Sequence, residues 1–332
     1  MTIKFLTFTD VHISDINPRS RLGSYRDDII NKLTQIKNLG KKLEVDFFIG
    51  GGDLFNLKAP MRNSHQLNNI LIKLFKSFHA PIYTTEGNHD LRNDVYDNFD
   101  EQPLCVLYNS GALIQLRDKL IDKKGIKIRL RGFPFIENPD FSLYEKVTST
   151  SDFNICVLHL YSSLTGGTLF KQKIYSYPEI GTLNDDIYVM GHYHIDQGIQ
   201  KITDNGKDQY FINVGAISRG SLSEDNINRD PKISLVTLDI TSEGIKTIKI
   251  IGVKLKVKPY QEVFNVEEKQ EEKEKLKAAE EYVETLKQEI SIEDKDTDKI
   301  RTEITNLNLD NLVIKKLGYY LEQADILIKG TL

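Results

Sequence analysis

Five short apolar runs in this chain halt at the same kind of residue. "IKFLTF" leads into Asp10-Val11-His12, "VDFFIGG" into Gly52-Asp53, and "APIYTTEG" into Asn88-His89-Asp90. Later, "FNICVLHL" carries His159 next to its end, and "DIYVMGHYH" finishes in His192 and His194. Brief continuous apolar runs bounded by glycine are what strands buried on both faces look like. In open α/β sheets the carboxyl ends of such strands fall along one edge, where ligands bind. The chain is thereby confined to folds that gather several strand ends in one place.

The order of segments narrows this further. Residues 3–9 read as a strand, and 25–40 as a helix with Ile29, Ile30, Leu33 and Ile36 at helical spacing, stopping at Gly40. Residues 45–51 read as a strand, 64–78 as a second helix, and 82–85 as a third strand. This β-α-β-α-β order implies a sheet covered by helices. Beyond about residue 125 the strand-like runs follow one another without long helices: "IKIRLRGF", "FNICVLHL", "DIYVMGHY", "YFINVGA", "KISLVTLDI" and "GIKTIKIIGVKLK". The expected class is α/β, a two-sheet sandwich flanked by helices, over residues 1–260.

Near Pro259 the composition changes. "VEEKQEEKEKLKAAEEYVETLKQEI" is charged and helix-favouring, with Leu276, Ala279, Val283, Leu286 and Ile290 three or four apart. "LDNLVIKKLGYYLEQADILI" offers Leu309, Leu312, Leu317 and Leu321 in answer. Residues 261–332 therefore read as a helical C-terminal extension, folded on itself as a hairpin or docking onto a partner's helices.

Composition sets outer limits. With 332 residues, 39% hydrophobic and 28% charged, the chain can bury a sizeable core. A net charge of -4 argues against a broad basic surface, though not against a local basic rim. The two cysteines, Cys105 and Cys156, show no CxxC pattern and fit a reducing compartment. No apolar run approaches the roughly 18 residues that span a bilayer. The N-terminus lacks a signal peptide's apolar segment, so a cytoplasmic protein with no membrane association is expected.

Taken singly, the polar strand ends are weak signals. D-x-H is common in turns, G-N-H-D could cap neighbouring amides, and H-x-H could pack on one strand face. Jointly they are costly to crowd onto one edge without a cation. Asp10, His12, Asp53, Asn88, His159, His192 and His194 supply oxygen and imidazole nitrogen but no thiolate, a set suited to Mn(II), Fe or Zn. They are too many for one first-row ion and fit two, with a carboxylate bridging ions about 3.5–4 Å apart.

The succession D-x-H, G-D, G-N-H-D, H, G-H-x-H resembles the calcineurin-like metallophosphoesterase superfamily over residues 1 to about 258. That resemblance implies one divalent metal, Mn(II) first, on Asp10, His12 and His194. A second would sit on Asn88, His159 and His192, with Asp53 between them. It leaves His89 as the catalytic group facing substrate, as imidazolium stabilising the phosphorane or protonating the leaving oxygen. Asp90 would then orient that imidazole or cap the turn.

"GGDLFN", Arg26-Asp27-Asp28, "RGFPF" and "NVGAISRGSL" look like the SbcD branch, bacterial counterparts of the meiotic-recombination nuclease subunit. The branch implies a metal-dependent DNA exo/endonuclease of recombination and repair. It also implies an SbcC-type coiled-coil ATPase bound through the C-terminal helices, and a homodimer is a further expectation. Asn56 stands where several of these nucleases have histidine, which bears on substrate choice. The short region after the core implies a reduced cap.

Arg19, Arg21, Lys58, Arg62, Arg92 and Arg219 are the expected cations of the mouth, where phosphate contacts would be sequence-independent. "GGTLFK" lacks the G-K-[ST] ending of an ATP loop. The enzymatic alternative is a phosphodiesterase or phosphatase for a small nucleotide or metabolite.

Overall fold

The computed structural model describes residues 1–147, 151–169 and 171–267, with a few further positions between 274 and 319. The chain divides into two compact units, Met1–Phe264 and Asn265–Leu332. The helices expected over 261–332 lie almost wholly outside the described residues.

The first unit is a sandwich of two six-stranded sheets. Strands are β1 (Thr2–Phe8), β2 (Phe47–Gly50), β3 (Ile82–Thr84), β4 (Ile114–Gln115), β5 (Asp118–Lys123), β6 (Ile126–Phe133) and β7 (Phe153–Leu160). They continue as β8 (Ser162–Ser163), β9 (Gly167–Leu169), β10 (Gln172–Ser176), β11 (Ile187–His192), β12 (Gly198–Asp204), β13 (Lys207–Asn213), β14 (Lys232–Ile240) and β15 (Lys246–Lys254). One sheet runs β15-β14-β1-β2-β3-β4 and the other β12-β13-β11-β7-β6-β5, while β8, β10 and β9 form a small third sheet. β1 to β4 pair in parallel, as do β6, β7, β11 and β13. The first sheet thus carries antiparallel strands, β14 and β15, on one side only, whereas the second has one at each edge, β12 and β5.

Two-residue alternation divides each strand between layers. From β1, Ile3 and Phe5 enter the core between the sheets, where they meet Phe47, Ile49, Ile155, Val157 and Val189. Leu6 and Phe8 face the other way, under α1 (Tyr25–Leu43) and α2 (His65–Lys76), together with Ile29, Leu33, Ile36, Leu67 and Leu71. From β7, Cys156, Leu158 and Leu160 fill a third layer with Tyr177, Tyr188 and Phe211. The same alternation puts His159 in phase with Phe153, Ile155 and Val157, so its imidazole reaches the gap between the sheets at the strand's end.

α1 does not stop at Gly40 but runs to Leu43, and Glu44 ends it in the left-handed region. Gly40 is there for contact: a Cβ would lie 2.3 Å from the Phe48 ring of β2. The helix starts where Ser24 accepts from the Asp27 amide. Among the described residues no helix is long and apolar enough to cross a membrane.

Candidate metal centre

The segments following β1 and β2 run on together beyond the sheet. The Asp10 and His12 amides donate to the carbonyls of Gly52 and Asp53 at 3.2 and 3.0 Å, and Ile13 then bridges Phe55. These bonds turn the Asp10, His12 and Asp53 side chains inward from a backbone few residues adopt. Their φ values are 52°, 48° and 51°, and His192 at the end of β11 has 82°. Left-handed conformations at non-glycine residues cost of order 1–3 kcal/mol each and persist where surrounding structure enforces them. Gly87 makes room on the β3 side, since a Cβ there would stand 2.1 Å from Asp53 Oδ1.

The side chains so delivered meet at one end of the sandwich. Asp10, His12, Asp53 and His194 bring ligand atoms within 4.8 Å of one another, and Asp53, His159 and His192 do the same. Asp53 belongs to both groups. His12 Nε2 lies 2.9 Å from His194 Nε2 and 3.4 Å from Asp53 Oδ2. His159 Nε2 lies 3.3 Å from that same oxygen. Asn88 Oδ1 is 2.9 Å from His192 Nδ1. All seven candidate ligands of the sequence reading are therefore brought together.

Protonation shows what this arrangement is suited to hold. His159 places Nδ1 2.8 Å from the Gly51 carbonyl, which can only accept, so Nδ1 carries a hydrogen and Nε2 is a lone pair in the neutral ring. Both His159 Nε2 and Asp53 Oδ2 are buried without a hydrogen-bond partner. A lone pair facing a carboxylate oxygen out of water is repulsive unless a cation stands between them. Burial disfavours a charged His159, yet the Asp53 carboxylate overrides it and lifts the imidazole to about 9, so that the pair attracts a positive charge between them, a proton where no metal ion is bound. Burial likewise pushes Asp53 up, and the imidazoles of His159 and His12 outweigh it to hold the carboxyl well below its usual range. His192 is driven down to about 3 by burial, with His159 adding to it. The donor set fits divalent cations.

His89 and Asp90 take different parts. His89 donates its amide to Asp53 Oδ1 at 2.7 Å and sets Nδ1 2.7 Å from the Asn56 carbonyl, leaving Nε2 for the cleft that the ring lines. Its edge meets His12, ring centroids 4.7 Å apart. Of its two expected roles Asp90 takes the second: it caps the 88–90 turn through the Gly87 amide and does not orient that imidazole. Its buried carboxylate accepts from the amides of Leu54, Phe55 and Gly87 at 3.2, 3.0 and 3.0 Å, tying the β2 and β3 loops together. Asn56 acts on His89 through its backbone, independently of side-chain identity.

The surrounding cleft is lined by Lys58, Asp94, Phe135, Glu137, Tyr161 and Tyr193. Tyr161 and Phe135 hold His192 between them, ring centroids 4.0 and 5.3 Å away. Tyr161 was not singled out from the sequence; its place directly after "FNICVLHL" was the available signal.

The expected cations of the mouth divide. Lys58 lines the cleft, paired with Asp94. Arg62 ends an exposed turn at 60–62, and Arg92 lies 3.5 Å from Glu101 on the surface. Arg26 is bound to Asp15 at 2.8 Å. Arg21 and Arg219 are not at the mouth: both are buried, and they line a separate pocket beside α1. Their loops fold inward because Arg21 packs on Tyr25 and Phe264, and Arg219 donates to the Lys258 carbonyl.

The sequence model for the calcineurin-like phosphoesterase family matches residues 3–196. The double-strand break repair protein MRE11 of Homo sapiens is 26% identical over an alignment covering 58% of this chain and 33% of that protein, and that of Mus musculus gives the same figures. The chain thus spans about a third of the length of these relatives. Among solved structures, a Staphylococcus aureus protein assigned as a 5'-nucleotidase superposes with a TM-score of 0.51 at 14% identity, covering 78% of this chain and 55% of that one, a likeness of fold alone.

Proposed function

The chain belongs to the calcineurin-like phosphoesterase family, and from that premise we propose that it is a DNA nuclease hydrolysing phosphodiester bonds at a dinuclear metal site. The observation that carries the reading is Asp53, which belongs to both ligand groups and turns an unpartnered, buried oxygen toward His159. Asp10, His12 and His194 would hold one ion, Asn88, His159 and His192 the other, and Asp53 both. Oxygen and imidazole donors without thiolate suit Mn(II), Fe or Zn, of which we take Mn(II) first. When bound, such a pair neutralises phosphate charge and lowers the pKa of water.

The residues' own work follows from their positions. Asn56 fixes the His89 tautomer through its carbonyl, so Nε2 is the atom turned to substrate. As imidazolium it would donate there to a non-bridging or leaving oxygen, a role that geometry permits without a direct ligand contact. Asp90 holds the loops carrying Asp53 and Asn88 at fixed separation. Arg26, Arg62 and Arg92 are proposed to meet the phosphate backbone, and residues 265–332 to bind a coiled-coil ATPase. The similarity to proteins named for double-strand break repair supports that choice of substrate and partner.

A small phosphodiester is the second reading, because the cleft sets the carboxylates of Asp94 and Glu137 against one Lys58. Incubation with Mn(II), end-labelled DNA and a chromogenic diester separates the two, with His89→Ala as blank. Cleavage of DNA by the unaltered protein alone supports the nuclease. Hydrolysis of the small diester without DNA cleavage, even after a coiled-coil ATPase is added, overturns it.

A further inference from the structure

A second pocket of about 400 Å³ opens beside α1, away from the residues of the metal centre. It is lined by Arg21, Asp28, Lys32, Arg219, Lys256 and Lys258, with Val263 at its edge. Five cations thus surround one carboxylate. Three of them are nine-tenths or more buried, Arg21, Lys32 and Arg219 being 8%, 5% and 4% exposed. Asp28 pairs with Arg21 and stands 3.8 Å from Lys258, so it cannot neutralise the rest.

Hydrogen bonding leaves the same surplus. Lys32 Nζ donates to the Ile217 carbonyl at 2.7 Å, and Arg219 to the Lys258 carbonyl at 2.7 Å. The Nε groups of both Arg21 and Arg219 are buried with no partner. Burial drives the Lys32 ammonium down to about 7, and Arg219 and Arg21 add to it. Buried charge of one sign, with unmet donors, is costly unless a counter-charge is brought in.

We propose that this pocket is a binding site for a small, multiply charged phosphate compound. Guanidinium forks and ammonium groups converging on one cavity are the donors such an oxyanion takes. The site is joined to the metal centre by short links. Ile217 and Ser218, next to Arg219, donate their amides to the carbonyls of Thr9 and Asp10 at 3.2 and 3.3 Å. Tyr25, under the Arg21 guanidinium, donates its hydroxyl to the His12 carbonyl at 3.0 Å. The proposal stands independently of what the metal centre hydrolyses.

The probe is pyrophosphate, titrated calorimetrically into the full chain in chelator, so that no metal draws it to the other cleft. Saturable binding is expected, at least roughly tenfold weaker in Arg219→Gln, the scale of one lost charge-assisted bond. Because Arg219 is buried and its replacement could disturb folding, the exposed pair Lys256→Gln/Lys258→Gln serves as a second variant, expected to bind several-fold more weakly. Lys58→Gln, in the metal cleft, should bind unchanged. Displacement of pyrophosphate by a short oligonucleotide would assign the pocket to a nucleic-acid backbone and overturn the proposal, whereas no displacement supports a small free compound. Absence of binding, or binding lost in Lys58→Gln and kept in the other variants, overturns the proposal.

Discussion

The metal cleft and the pocket beside α1 concentrate opposite kinds of unmet polarity. In the cleft, the buried carboxylate oxygen Asp53 Oδ2 stands between the Nε2 atoms of His12 and His159 without a hydrogen bond. In the pocket, donors face donors: Arg21, Lys32 and Arg219 crowd together with Asp28 as the one lining carboxylate. The cleft is assembled at the ends of parallel strands, whose direction brings the side chains to one edge whatever the helices do. The pocket depends on a helix face, a loop at 217–219 and a segment near 256–263 meeting by tertiary packing. A buried imbalance reports the sign of the partner it would take, and how it was assembled decides whether sequence could announce it.

Replacing Asp53 with Ala should break the cleft most completely. With both ligand groups losing a shared member, the protein should fail to retain either ion at stoichiometric level, read by metal analysis after desalting, and diester hydrolysis should vanish with it. A fully loaded variant would remove Asp53 from its central place. His89→Ala sharpens the same region differently. It should keep its metal and lose about 10²–10⁴-fold in kcat, the range for a positioned acid. Loss of metal instead would make His89 structural.

Asp90→Ala tests what holds the cleft's loops. Three buried amides would lose their acceptor, so unfolding stability should fall by about 3 kcal/mol or more, measured by urea titration. Stability unchanged within error would contradict its bracing role.

Lys32 tests the pocket's surplus through pH. Its folded pKa of about 7 lies below the ordinary 10.5. Between those values the unfolded chain holds a proton that the folded one has released, so stability should rise with pH. From pH 7 to 9.5 the gain should approach about 3 kcal/mol, and Lys32→Met should flatten it. Equal slopes in both proteins would mean that Lys32 stays charged when folded. The smallest effect belongs to Arg92→Ala. Its half-exposed pair with Glu101 should be worth under about 1 kcal/mol, while the salt slope of DNA binding should fall by about one if Arg92 meets phosphate.

What the chain alone determined was the edge on which chemistry gathers. Apolar runs ending in Asp10, His12, Asp53, Asn88, His159, His192 and His194 are local patterns, and the parallel pairing they imply carries their ends to one side. Strands such as β12 escaped that reading because "GIQKITD" is half-exposed and lacks a continuous apolar run. Gly40 looked like a stop signal, because sequence does not show that Phe48 would fill the space of its Cβ. The cap that Asp90 makes on Gly87 was legible in G-N-H-D, but tertiary structure alone decided that it would also bind Leu54 and Phe55, and that Arg21 and Arg219 would turn inward. The division has one physical cause. Strand direction and two-residue alternation are properties of consecutive residues, whereas a buried side chain's partner is fixed by which distant segments pack against it.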